Sequence, residues 1–120
     1  MNGELSRRMP FSLEAEQSVL GAILIDPSCM DQLAGILAAE DFQLEEHAEI
    51  FRAMQAMYLR SRTIDVVTLL DELVKSGVYD EAGGKDYIRL ISEVVPSAAN
   101  VKDYAEIVRD KSILRALIHA

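Results

Sequence analysis

Tryptophan is absent from the 120-residue chain, which has only three phenylalanines and four tyrosines. A core built from these residues must be aliphatic, made of Leu, Ile, Val, Ala and Met. The single cysteine, Cys29, excludes an internal disulfide framework and fits a reducing compartment. It reads as a small, partly buried side chain after a turn. No apolar run approaches the roughly twenty residues of a membrane span. Arg7-Arg8 has no apolar stretch behind it, so a signal peptide is not expected, and the expected location is cytoplasmic. Basic charge is also scarce: 12 Lys and Arg against 20 Asp and Glu leave a formal net charge of -8. Nucleic-acid affinity depends on Lys and Arg neutralising phosphates. Arg7-Arg8 is the one adjacent basic pair and Arg60 with Arg62 a second small cluster, neither interleaved with aromatics. Direct DNA binding is therefore not expected, and a protein partner with a basic face fits better.

What is present is helical periodicity in a chain of single-domain length. After a tail over residues 1–11, expected to be flexible, Ser12 is placed to cap a helix running to Ile25. Its buried stripe is Leu13, Val19, Leu20, Ile23 and Leu24, and Glu14 and Glu16 complement its positive end. Gly21 inside it costs up to about 1 kcal/mol relative to Ala, a cost that close approach of another helix would justify. Asp26-Pro27 breaks the pattern. Ser28 with Asp31 predicts a capping box and a short helix from Met30 to Ala39, with Met30, Leu33, Ile36 and Leu37 apolar. Phe42 anchors the next connector. A third helix spans Glu45 to Arg60 with Ile50, Phe51, Met54, Met57 and Tyr58 on one side. Asp65 caps a fourth from Val66 to Ser76, carrying Leu69, Leu70, Leu73 and Val74, and Gly77 takes the left-handed position after it. Residues 78–84 read as a turn-rich link. A fifth helix covers Asp86 to Val94, with Tyr87, Leu90, Ile91 and Val94 inward, and Pro96 stops it. Asn100 with Asp103 opens the last helix. No segment alternates with period two, so the fold class is all-α, a compact bundle of about six helices. The last helix has no Gly, Asn or Pro to close it and crowds Ile113, Leu114, Leu117 and Ile118 at its tip. That pattern reads as one domain of a longer polypeptide.

Catalytic constellations are missing from the pattern. A phosphate-binding G-x-x-x-x-G-K-[ST] loop fails at Gly83-Gly84-Lys85-Asp86: Tyr79 stands where the first Gly is needed and Asp86 where the hydroxyl is needed. His47 and His119 belong to no H-E-x-x-H. His47 reads as a helix-surface or packed core residue. Glu45-Glu46, Asp71-Glu72 and Asp80-Glu81 are adjacent pairs, about 100° apart on a helix, and read as solvated faces. No Glu-x-x-His occurs, which removes the usual signature of a metal-binding bundle. Met54 and Met57 read as core filler. No catalytic, cofactor-binding or metal-binding residue is assigned.

Several segments together carry a resemblance. Pro10-x-Ser12-x-Glu14-Ala15-Glu16-Gln17-Ser18-Val19-Leu20-Gly21-Ala22 is followed by Asp41-Phe42, by His47 with Ile50-Phe51, and by Ile64-Asp65-x-x-Thr68-Leu69. Gly83-Gly84-x-x-Tyr87, Val95-Pro96-Ser97-Ala98-Ala99-Asn100-Val101 and Tyr104-Ala105-x-Ile107-Val108 complete the series. In order and spacing, from Pro10 onward, the chain resembles the N-terminal domain of bacterial DnaB-family replicative DNA helicases. One departure is Gln43, where the family usually has an aromatic, and a packing contact near that connector is expected to differ.

The resemblance implies a non-catalytic collar domain over residues 12–120 of a longer hexameric helicase, its last helix the first arm of a helical hairpin. The ATP and Mg site would belong to a motor domain elsewhere in that protein, and this segment would hold no cofactor. Implied partners are further copies of itself, the primase and a helicase loader; DNA and membrane are not implied for this domain, and the location would be nucleoid-associated through the replication fork. Primase contacts in the family lie largely on the hairpin, so none is assigned here. Ile107, Leu114, Leu117 and Ile118 are the candidate self-association or partner surface. The alternative reading is a free-standing acidic helical adaptor or regulator of the same fold.

Overall fold

A computed structural model describes residues 9–119. Among the described residues six α-helices follow one another: α1 (Leu13–Ile25), α2 (Met30–Leu33), α3 (Glu45–Leu59), α4 (Val66–Lys75), α5 (Glu81–Ser92) and α6 (Val101–His119), with short 3-10 turns at Pro27–Cys29 and Ala39–Asp41. There is no strand among the described residues. Of the expected tail, residues 1–8 lie outside the description, whereas Met9 is buried and Pro10 and Phe11 are half-buried.

The first helix is the hub. Ser12 caps it by accepting from the Ala15 N–H at 3.1 Å, and residues 18–23 are all buried. A helix covered nearly all round must be the centre of a packing arrangement; α6, α5 and α3 all lie against it. Gly21 makes one of these contacts possible. A Cβ built there would stand 2.5 Å from the Ile91 carbonyl oxygen of α5, so the two backbones touch where only a hydrogen fits. Leu13, expected in the buried stripe, is instead largely exposed, because it lies in the first turn, ahead of the fully buried stretch.

The second helix is much shorter than the periodicity predicts. Cys29 precedes it without a side-chain cap. The expected Ser28–Asp31 box is replaced by Asp26, whose carboxylate accepts from the Ser28 N–H at 3.1 Å and the Ser28 hydroxyl at 2.6 Å. After Leu33 the chain passes through turn residues including Gly35, a poor helix former. Asp41 then accepts from the Ala38 N–H at 2.8 Å and tightens the path into a 3-10 turn. Met30, Leu33 and Leu37 are nevertheless buried: the apolar pattern predicted which side chains go in, though not the backbone that carries them. Phe42 is buried and packs on Phe51 with ring centroids 5.1 Å apart.

Helices α3 and α4 both end in the same six-to-one turn. Arg62 N–H bonds to Met57 C=O at 2.9 Å and Val78 N–H to Leu73 C=O at 3.0 Å. The left-handed residue is Gly77 in one (φ 80°) and Ser61 in the other (φ 57°). Asp65 and Thr68 form a reciprocal capping box at the start of α4, each side chain accepting from the other's N–H at 2.9 Å.

Helix α5 begins a turn earlier than expected and is rotated. Asp80 caps it by accepting from the Gly83 N–H at 2.6 Å, so Gly83 and Gly84 are helical. Gly84 is there for packing, since a Cβ would lie 2.7 Å from Tyr79 Cβ and 3.0 Å from Leu70 Cδ1. With Gly84 facing in, the inner stripe becomes Gly84, Ile88 and Ile91, and Leu90, expected inside, is exposed. The helix ends at Ser92, ahead of Pro96.

Two substitutions test this account in urea unfolding. Gly21→Ala should destabilise the chain by about 1–3 kcal/mol despite alanine's better helix propensity, because the methyl overpacks the α1–α5 contact. Ser61→Gly should raise stability by about 1 kcal/mol by relieving the left-handed backbone. A gain from the first or a loss from the second would refute the packing and turn assignments respectively.

Candidate functional site

The last helix presents two different faces. Val101, Ala105, Val108, Ser112 and Arg115 follow each other at i+4 and i+3 and face the rest of the molecule; all but half-buried Ser112 are buried. At about 100° per residue, Ile107, Leu114 and Ile118 fall within about 40° of one another, roughly 120° round from that row, and Leu117 lies about 80° further on. These four are 42 %, 44 %, 69 % and 61 % exposed. The helix is thus apolar on the side that packs and apolar again on a side that stays partly exposed. Ile113 adds to the exposed group at the tip.

The packed face is held by a residue with no assigned role in the sequence reading. Arg115, 8 % exposed, donates from its guanidinium to the Pro10 carbonyl at 2.8 Å and the Asp41 carbonyl at 2.6 Å. Ser112 donates to the Asp41 carboxylate at 2.8 Å. These bonds fasten the end of α6 to the segment entering α1 and to the 3-10 turn before α3, and so fix which face of α6 points outward. The signal was available in the register, because Arg115 continues the Val101–Ala105–Val108 row. A charged residue on an apolar row reads as a surface residue until its acceptors, more than 70 positions away, are known.

A second unassigned arrangement lies in the core. Glu16 and His47 are both essentially fully buried. The Glu16 carboxylate accepts from His47 Nδ1 at 2.8 Å and from the Gln43 and Leu44 backbone N–H groups at 2.7 and 3.4 Å. A carboxylate only accepts, so the His47 proton sits on Nδ1. Nε2 then accepts from the Tyr87 hydroxyl at 2.5 Å, and that hydroxyl accepts from Gln17 Nε2 at 3.3 Å. Burial holds the Tyr87 phenol above its ordinary pKa and keeps it a donor, against the lowering effect of the Gln17 hydrogen bond and with smaller upward contributions from the Glu46 and Glu16 charges. Glu16 lies in the first turn of its own helix, as its sequence position predicts, and its carboxylate also meets the N-terminus of α3, whose dipole it complements. Gln43 enters this network through its backbone N–H.

Several other charged residues pair on the surface. Arg60 and Arg62 both face Glu72, at 3.7 and 3.0 Å, and Lys75 pairs with Asp71 at 2.9 Å. Glu46 accepts from the Tyr79 hydroxyl at 2.6 Å. Burial, aided by the Asp26 charge, pushes the Cys29 thiol up to about 11, which leaves it inert as a nucleophile at neutral pH. Among the described residues no three His, Cys, Asp or Glu side chains are placed to hold a metal ion, and no helix is long and apolar enough to cross a membrane. His119, the other histidine of the sequence reading, has no described side chain.

The buried network should dominate stability. Glu16→Ala, which strands an imidazole and two backbone donors, should cost about 3 kcal/mol or more in urea unfolding. Tyr87→Phe removes a donor at the network's edge and should cost about 1–2 kcal/mol. Equal and small effects from both would show that the network is incidental to the fold.

Comparison with known proteins places this geometry in a family. A model described as the DnaB-like helicase N terminal domain matches residues 8–110. The chain is 45 % identical over 109 residues to a replicative DNA helicase DnaB of Geobacillus stearothermophilus, covering 91 % of this chain and 24 % of that protein. It is 42 % identical over 112 residues to a replicative DNA helicase DnaC of Bacillus subtilis, covering 93 % and 25 %. It therefore spans about a quarter of the length of these relatives. The crystal structure of the N-terminal domain of DnaB helicase from Mycobacterium tuberculosis superposes with a TM-score of 0.88 at 35 % identity, over 93 % of this chain and 81 % of that one. With the family model covering most of its length and the same helical architecture in a solved relative, the chain belongs to the DnaB-like helicase N-terminal domain family.

Proposed function

We propose that this chain is a non-catalytic collar domain of a hexameric replicative DNA helicase, one that organises the hexamer and docks the primase and the helicase loader. The observation that carries the reading is the two-faced last helix: one face is fastened to the domain through Arg115, and the outer side leaves Ile107, Leu114 and Ile118 partly exposed in a row with Leu117 beside it. An apolar surface held open by buried hydrogen bonds on the opposite side is suited to association. The proposed self-association surface consists of those four residues. ATP and Mg chemistry would belong to a motor domain in the same polypeptide, outside these residues. The formal charge of -8 suits partners with basic faces and keeps the domain off DNA phosphates.

An antibody raised against this chain should detect, in source-cell lysate, a polypeptide several-fold heavier than 13.3 kDa and should co-precipitate primase activity. A band at the mass of the chain itself, without primase, would overturn the helicase reading in favour of a free-standing adaptor. The surface assignment has its own test. In sedimentation velocity the chain should self-associate with increasing concentration, and Leu114→Asp with Leu117→Asp should remain monomeric and folded. A variant that associates as strongly as the parent would move the interface elsewhere.

A further inference from the structure

Helix α4 has more apolar surface than the core uses. Leu69 and Leu73 are fully buried. Val66, Leu70 and Val74 form a second row at i, i+4 and i+8, flanked by Val67, which is 77 % exposed. At about 100° per residue the apolar arc covers roughly 160° of the helix. The outer part of that arc is the floor of an open groove between α4 and α5, whose α5 wall carries Lys85 and Arg89.

The charge of this groove runs against that of the molecule. The chain has a formal net charge of -8. The acidic residue lining the groove, Asp71, is already paired with Lys75 at 2.9 Å. Among the described side chains neither Lys85 nor Arg89 takes part in an ion pair. Two cations four residues apart on one helix stand about 6 Å from each other along its axis. They border an apolar strip about 12 Å long, the rise from residue 66 to residue 74.

We propose that the α4–α5 groove docks an acidic amphipathic helix of a partner protein. The occupant's apolar i, i+4 side chains lie along Val66, Leu70 and Val74, and a carboxylate pair at the same spacing meets Lys85 and Arg89. Equal spacing on ligand and wall follows from both being helices, which is the basis of helix-in-groove recognition. Arg89 can take a carboxylate through two parallel N–H donors, whereas Lys85 acts as a point charge. The net negative potential elsewhere on the chain repels an acidic ligand from other surfaces and so confines it to this one. The site lies on α4 and α5, not on the α6 face of the proposed self-association surface, so the two readings stand or fall separately.

The test uses the whole chain and a defined probe: a blocked, fluorescein-labelled sixteen-residue helical peptide with Leu at i and i+4 flanked by Glu. Its counterpart has every Glu replaced by Lys. Anisotropy titration at low salt should give a Kd of about 10–100 μM for the Glu peptide, weakening with added salt. Lys85→Glu with Arg89→Glu, both exposed positions, should weaken it at least about tenfold, and Val67→Ser should weaken it without altering the salt dependence. In 15N-edited spectra the shifted amides should cluster at residues 66–74 and 85–89. No saturable binding below about 1 mM, equal binding of the Lys peptide, or shifts confined to α6 would overturn the proposal. So would displacement of the peptide by an oligothymidylate at comparable concentration, which would make the groove a phosphate site.

Discussion

The carboxylate of Glu16 is the group on which the arrangement of this domain depends. Removing a charged carboxylate from water costs several kcal/mol unless donors replace the lost solvent. Here they come from outside its own helix: the backbone of Gln43 and Leu44 and the ring of His47. Gln43 and Leu44 lead directly into α3, so the carboxylate also faces the positive end of that helix. Through His47 the chain of hydrogen bonds passes to Tyr87 on α5 and back to Gln17 on α1. Apolar packing is tolerant of small rotations, whereas this network is not, since any slip of α3 or α5 against α1 leaves a buried polar atom unpaired. Among the described residues no buried side-chain nitrogen or oxygen lacks a partner.

With α1 so fixed, the outer helices follow. Gly21 lets α5 approach to backbone contact, which in turn sets Ile88 and Ile91 inward. Helix α6 packs along α1 and is fastened near its end by Arg115. Because Arg115 can reach its two carbonyls from only one side, α6 cannot roll to bury Ile107, Leu114 and Ile118. A domain that spends its polar interactions on orientation leaves apolar rows on its outside, on α6 and on α4. Both rows stand on a molecule with a formal net charge of -8.

The sequence by itself determined the class of fold, most element boundaries and most of the core. Helical periodicity and capping residues are local, and Ser12, Asp65 and Gly77 act within four residues of themselves. The exposed row on α6 was legible for the same reason, as periodic apolar residues beyond those needed for one stripe. Tertiary contacts alone decided the rest. Helix α5 begins at Glu81 because Gly84 fits against Tyr79 and Leu70, a contact that outweighs the poor helix propensity of two glycines. Helix α2, by contrast, stops at Leu33 for a local reason that periodicity does not register, a turn through Gly35 followed by the Asp41–Ala38 bond. Glu16 and Arg115 look like surface residues in the sequence, and His47 is open there between surface and core, since a polar side chain is buried only when distant partners satisfy it, 27 to 105 positions away in these cases. Hydrophobic burial is written residue by residue and survives in a one-dimensional reading, whereas a buried hydrogen bond belongs to two places in the chain at once and exists only when the fold has brought them together.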